Sequence, residues 1–350
     1  MRRSRIRIKI PDAEADAVYH CISRTVNGER ILDDTAKEIL RRQIWQIADF
    51  CGVIVLTYAI MDNHFHVLVK IPKKSAVSDV ELLRRYRVLY PKPTSHQPAD
   101  ISDIESQLKT DGPSAAAWRK RQLALMGDIS VFMKFLKQRF SIWFNKTHAR
   151  FGTLWAERFK SVLVDPSSRI VRIMAAYIDL NPIRAGIVSD PKNYRFCGYG
   201  EAVAGGKNAQ TGITHAIANP QSDAPPSWKT IHADYRRTVI GAGAAPRANK
   251  AAITEKLLEK TMRENGRLPV TTVLRCRIRY FTDGAVLGGQ VFVAQQLTRY
   301  RRLTGRRRRA TPRPLPLLCD WSDAEPANTA PLKNACEFTS LRALRKRIFG

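Results

Sequence analysis

Two histidines separated by one residue, His64 and His66, stand in MDNHFHVLVKI, whose β-branched residues mark a strand. On a strand, positions i and i+2 share a face, so the two imidazoles project together while Phe65, Val67 and Val69 project to the other side. Converging imidazoles are half of a metal site and need a further ligand. The alternative is a pair of polar residues on a half-exposed strand. A second pair lies in AAYIDLNPIRAGIV, where Tyr177 and Asn181 are four residues apart and lie one above the other on a helical face. A phenol and an amide oxygen then share one site, although an inward-facing core tyrosine and an asparagine capping a helix before Pro182 would have the same spacing. Two imidazoles and one amide oxygen leave coordination positions open and suit Mg²⁺ or Mn²⁺ better than a closed thiolate zinc site. Neither an HxHxDH continuation nor an H-E-x-x-H helix is present, so the hydrolytic zinc enzymes with those signatures lose support.

Between these pairs runs FNKTHARFGTLWAERFKSVLV, where Trp155, Arg158, Phe159 and Lys160 interleave cations with aromatics, a pattern that grips and stacks single-stranded nucleic acid. The competing assignment puts Trp155 and Phe159 in the core and leaves Arg158 and Lys160 on the surface. His148 is expected in a solvated turn, and Asp62, at the mouth of the histidine strand, in a solvated or capping role. Charge agrees with a polyanionic partner: 59 Lys and Arg against 31 Asp and Glu leave +28, which points to nucleic acid first and an anionic membrane surface second. The longest nearly apolar stretch, Val53 to Met61, is too short to span a bilayer, and the arginine-rich start leads into acidic sequence rather than an export segment. We therefore expect a soluble cytoplasmic protein with no membrane partner. Six scattered cysteines without a C-x-x-C pair read as reduced thiols.

Positioning these residues requires a strand at AVYHCISRT, a helix from Asp34 to Phe50 and strands at GVIVLTYAIM and HFHVLVKI, which together predict a mixed α+β sheet. A helix is expected from Val77 to Tyr90, inside an insertion at 73–127 whose later part, Ile101 to Met126, is polar and partly helical. The apolar spacing from Asp128 to Lys146 predicts a helix with Asp128 as its N-cap. The next helix starts near Ser167 or Ser168, carries the stripe Ile170, Ile173, Met174, Tyr177 and Ile178, and stops at Pro182. Small and polar residues at 201–228 read as a flexible linker. Residues 229–302 read as a small helical module, with helices at 253–265, 273–280 and 289–300, and 303–350 as a basic, Pro-containing tail. The cluster Arg299, Arg301, Arg302, Arg306, Arg307, Arg308, Arg309 and Arg313 is expected to add sequence-independent phosphate contacts.

Taken in order, His64-Phe65-His66, LWAERFKS and YIDLNPIRAG, with YHCISR before them and DPKNYRFCGYG after, resemble the single-tyrosine HUH transposases, especially the REP-associated tyrosine transposases of bacteria, in the insertion sequence 200-like family. The resemblance covers about Ala17 to Gly200, giving a domain at 1–200. It implies a ferredoxin-like antiparallel sheet flanked by helices, the HUH nuclease fold, here with a small, mostly helical C-terminal extension. It implies His64 and His66 as ligands of Mg²⁺ or Mn²⁺, with Asn181 at the third ligand position, where transposases of mobile elements often carry Gln. Tyr177 becomes the nucleophile, and Trp155, Arg158, Lys160 and Arg184 the DNA-binding residues. The implied activity is nicking and rejoining of single-stranded DNA beside a hairpin or palindromic repeat through a 5′-phosphotyrosine. The implied setting is a monomer or homodimer in the bacterial cytoplasm, on the nucleoid when bound to DNA. The alternatives are a catalytically idle or domesticated nucleic-acid-binding relative, and an HUH replication-initiation nickase, which LWAERFKS and YIDLNPIRAG disfavour. The insertion at 73–127 and the chain beyond Gly200 depart from the family pattern and bear on target and assembly.

Overall fold

The fold follows from a computed structural model that describes residues 15–93, 97, 99–218, 226–243, 285–304, 313–314 and 339–340. Strand β1 (Ala17–Arg24) leads through helix α1 (Asp34–Cys51) to β2 (Ile54–Met61), and β3 (His64–Ile71) follows after a tight turn. β3 lies between β1 and β2 and runs antiparallel to both, so β1 and β2 are parallel and α1 is the crossover of a split β-α-β unit. β4 (Lys160–Val164) adds antiparallel to β1 and completes the order β2-β3-β1-β4, the ferredoxin-like arrangement. Strand β5 (Val286–Gly288) pairs parallel with β4, and two-residue strands at 313–314 and 339–340 extend that side.

Both faces of the sheet are covered, which is why β3 reads as a nearly continuous apolar run. Helix α1 and α5 (Ile129–Thr147) pack together over the Phe65 face. Helix α6 (Ser168–Asp179) covers the opposite face, where the histidines point. Side-chain caps open both α1 and α5, the second of them at the expected Asp128. Asp33 accepts from Ala36 N at 2.7 Å to open α1, and Asp128 accepts from Ser130 N at 2.5 Å to open α5. The segment at 73–127 forms α2 (Asp79–Leu89), α3 (Ile101–Thr110) and α4 (Pro113–Leu123). Helix α2 lies on α1, and the rings of Tyr86 and Trp118 meet at 5.7 Å to hold α4 against α2.

Helix α6 does not end cleanly at Pro182. The four-residue α7 (Asn181–Arg184) follows almost in line, because Pro at the second position of a helix needs no N–H. Pro182 leaves the carbonyl of Ile178 without its usual backbone donor. The Asn181 amide replaces it, donating through Nδ2 to Ile178 O at 3.0 Å and to Tyr177 O at 3.2 Å.

Residues 201–217, expected as linker, are instead mostly helical: α8 (Gly198–Val203) and α9 (Lys207–Ile217) pack on β2. The composition misleads because the small residues serve close approach rather than flexibility. A Cβ built on Gly212 would stand 2.2 Å from the carbonyl oxygen of Val55. Gly212→Val is therefore expected to destabilise the fold by about 2 kcal/mol or more, read as a lowered Tm, and an unchanged Tm would refute this packing role. Glu201 ties α8 to β2 and α1 by accepting from Tyr58 Oη at 2.6 Å and Trp45 Nε1 at 3.0 Å. The chain just before α8 lies along β2, the outer strand. Ile60 N donates to Phe196 O at 2.9 Å, Tyr194 Oη donates to Ile60 O at 2.6 Å, and Ala59 bridges Cys197.

Helix α10 (Trp228–Gly243) docks on α6, and α11 (Gln290–Thr304), at the last of the three expected C-terminal helices, packs on β5. The helices expected at 253–265 and 273–280, and most of the tail at 303–350, lie outside the described residues. Cys21, Cys51 and Cys197 are buried and lie outside any disulfide. Among the described residues no helix is long and apolar enough to cross a membrane.

Candidate active site

The register of the two central strands builds the site. Arg24 stands opposite His64, Ile22 opposite His66 and His20 opposite Leu68, so all of these side chains share the face covered by α6. His64 is half-buried, His66 is 3% exposed and His20 is completely buried. The His64 and His66 ring centroids are 5.1 Å apart. His64 Nδ1 lies 2.6 Å from Asn63 Oδ1. An amide oxygen only accepts, so that proton is on Nδ1 and Nε2 keeps its lone pair. Burial, reinforced by the Arg24 charge, lowers the His64 pKa to about 4 against the opposing pull of Asp62. Burial also holds His66 well below the ordinary histidine range, helped by His64, His20, Arg184 and Arg24. Both imidazoles are thus neutral near pH 7, the form that binds a cation.

Tyr177, on α6, comes to the same place. It is 2% exposed, and its ring centroid lies 6.1 Å from that of His20 and 6.2 Å from that of His66, edge-on to both. The Arg184 guanidinium covers the Tyr177 ring at 4.5 Å, and its Nη1 donates to Tyr177 O at 2.7 Å. Arg184 is therefore built into the surroundings of the phenol. Asn181 turns Nδ2 toward the helix carbonyls, which directs Oδ1 the other way. Among the described residues no three His, Cys, Asp or Glu side chains group as a metal site. A cation here would rest on two imidazoles and a neutral oxygen. Such a set suits an ion that takes its anionic ligands from a substrate phosphate.

Two participants escaped the sequence reading. One is His20. The other is Asp179, fully buried two residues beyond Tyr177. Its carboxyl accepts from Thr57 Oγ1 at 2.8 Å, Tyr199 N at 3.1 Å and Tyr235 Oη at 2.5 Å, which ties α6 to β2, α8 and α10. Burial raises its pKa to about 7 against the pull of those hydrogen bonds. A second link joins Arg172 of α6 to Asp234 of α10 at 3.2 Å. YIDLNP gives no local sign of this role, because all three donors are remote in the chain.

The aromatic and basic segment divides. Trp155 packs against Phe65 and Phe140, with centroids at 5.5 and 5.7 Å, and its Nε1 donates to Lys137 O at 3.1 Å, so its ring is engaged in packing. Phe159 is partly buried against the core. Arg158 is exposed, and Lys160 pairs with Glu157 at 3.4 Å. Phe151, 95% exposed on the same segment, is the aromatic that stands in solvent. His148 is exposed at the end of α5, and Asp62 is paired with Lys37 at 2.8 Å and Arg30 at 3.0 Å.

A solved structure of a REP-associated tyrosine transposase bound to a REP hairpin aligns with 64% of this chain and 93% of its own, at 14% identity and a TM-score of 0.35. No curated protein matches the chain. The family model described as "Transposase IS200 like" matches residues 14–84, from the start of β1 through the histidine strand into α2. The segment that carries His20, His64 and His66 is therefore similar to the IS200-like transposases.

Proposed function

We propose that this protein is a metal-dependent transposase that acts on single-stranded DNA and cuts it through a 5′-phosphotyrosine on Tyr177. The observation that carries the reading is the meeting of the Tyr177 ring with the His66 and His20 rings at 6.2 and 6.1 Å, from three separate parts of the chain. His64 and His66, through Nε2, and Asn181, through Oδ1, would hold Mg²⁺ or Mn²⁺. When bound, the ion supplies positive charge at a nonbridging phosphate oxygen, easing the repulsion of an incoming phenolate and the charge that grows in the transition state.

Tyr177 Oη attacks phosphorus and forms the new O–P bond while the bond to the 3′ oxygen breaks. The phenolic proton is given up, and the departing oxygen takes a proton to become a 3′-hydroxyl. Because the phosphate remains esterified, a later 3′-hydroxyl can displace the tyrosine and restore the strand without a nucleotide cofactor. Arg184 holds the ring by its face, and the three bonds to Asp179 fix the helix that carries it. Outside the centre, exposed Arg158, partly exposed Lys160 and the arginine-rich tail supply phosphate contacts.

The substrate follows from access. A phenol that is 2% exposed on a helix tied to β2, α8 and α10 is reached more readily by a strand free to bend toward it than by a stacked duplex. An unpaired segment beside a hairpin stem is free to do so, and it also exposes base faces for stacking. Incubated with a single strand carrying an imperfect hairpin, the protein is expected to nick next to the stem and to leave the same sequence as a perfect duplex nearly uncut. Equal nicking of both substrates would overturn the assignment.

A further inference from the structure

The site contains a buried histidine to which the metal-site reading gives no part. His20, on β1, is completely buried, and its Nε2 lies 2.9 Å from Nδ1 of His66. The two rings are inclined by only 16°, and the edge contact of His20 with Tyr177 keeps it between the ligand strand and the nucleophile helix. It reaches His66 diagonally, since Ile22 is the residue registered opposite. We propose that His20 is a positioning residue that holds His66 in the tautomer and orientation able to bind a divalent cation, an inference that rests on the metal-site reading above.

The argument is one of counting protons. A neutral imidazole carries a single proton on two nitrogens, so the contact between two neutral rings holds one proton and one lone pair. With the proton on His66 Nδ1, His20 accepts and His66 Nε2 presents a lone pair to the site. With the proton on His20 Nε2, the remaining His66 proton must sit on its own Nε2, where it blocks a metal bond. The neighbouring ligand follows the first pattern: Asn63 Oδ1 accepts from His64 Nδ1 and leaves Nε2 open. Both rings then offer Nε2, each steadied from behind, as metal-binding imidazoles commonly are. A histidine suits the acceptor's place because a carboxylate there would bring an additional buried charge, whereas an imidazole accepts the bond while neutral.

The test uses the full-length protein and two readouts that need no DNA cleavage. In histidine ¹⁵N NMR of the metal-free protein, His66 is expected to be protonated on Nδ1 and bare on Nε2. In Mn²⁺ titrations followed by electron paramagnetic resonance, His20→Phe, which keeps ring bulk but has no acceptor, is expected to weaken binding about tenfold or more, while His20→Gln, whose Oε1 accepts the same proton, stays within about threefold of wild type. Protonation of His66 on Nε2 would overturn the proposal, whatever the variants do. So would wild-type affinity in His20→Phe, or equal losses in the Phe and Gln proteins at unchanged Tm. Absence of Mn²⁺ binding in the wild-type protein would overturn the metal-site reading and this inference with it. Tight Mn²⁺ binding that depends on His64 but not on His20 would overturn this inference alone.

Discussion

Tyr177→Phe protein mixed with hairpin-bearing single-stranded DNA is expected to yield no adduct that survives denaturation, whereas the wild-type chain is expected to yield one. The substitution removes a single oxygen from a nearly buried ring. Among the contacts that hold the ring, the Arg184 guanidinium at 4.5 Å and the two imidazole edges involve carbon atoms that phenylalanine keeps. DNA affinity and Tm should therefore change little, while adduct formation falls by at least about 10³-fold, as expected when the nucleophilic atom itself is lost. A denaturing gel followed by peptide mapping of the wild-type adduct decides the matter. An adduct of normal yield in the variant would place the nucleophile elsewhere.

The second large effect is expected at the histidines. His66→Ala or His64→Ala should abolish nicking in Mg²⁺ or Mn²⁺ and largely spare DNA binding, because affinity in so basic a chain comes chiefly from phosphate neutralisation. Asn181→Ala should weaken nicking less completely, since a neutral amide oxygen is the weakest of the three donors. It should also lower stability by about 1 kcal/mol, because its Nδ2 bonds to the helix carbonyls are lost with it. Excess chelator should stop the wild-type reaction, and full nicking in its presence would remove the metal from the scheme.

What could be read from sequence was what depends on neighbours in the chain. Alternation placed His64 and His66 on one face of β3 and Phe65, Val67 and Val69 on the other. The four-residue spacing put Asn181 one turn from Tyr177, and Asp128 marked the start of α5. What depends on register between remote segments could not be read. His20 meets His66 only because β1 is aligned with β3 in one particular way, and nothing around YHCISR announces that alignment. Asp179 resembles an ordinary exposed helix-end acid until Thr57, Tyr199 and Tyr235 converge on it. The interleaved aromatics at 155–160 looked alike in sequence, yet packing engages the Trp155 ring and leaves Phe151, a few residues earlier, in solvent. Residues 201–217 failed for a related reason, since small side chains favour both loose loops and close helix-on-strand contacts, and only the position of Val55 behind Gly212 separates the two.

The strip of chain from Tyr194 to Cys197 along β2 bears on how these molecules can meet one another. An outer strand normally offers a row of unused amides and carbonyls to any passing chain, which is how sheets fuse between molecules and how aggregates begin. Here the outward amide and carbonyl of Ile60 are already taken by Phe196 and Tyr194, and Ala59 is bridged to Cys197. A second molecule seeking to continue the sheet past this point would first have to strip that segment away, together with α8 behind it. Self-association through a shared sheet is thereby discouraged along β2, and copies of this chain can crowd together there without zipping into a common β-structure.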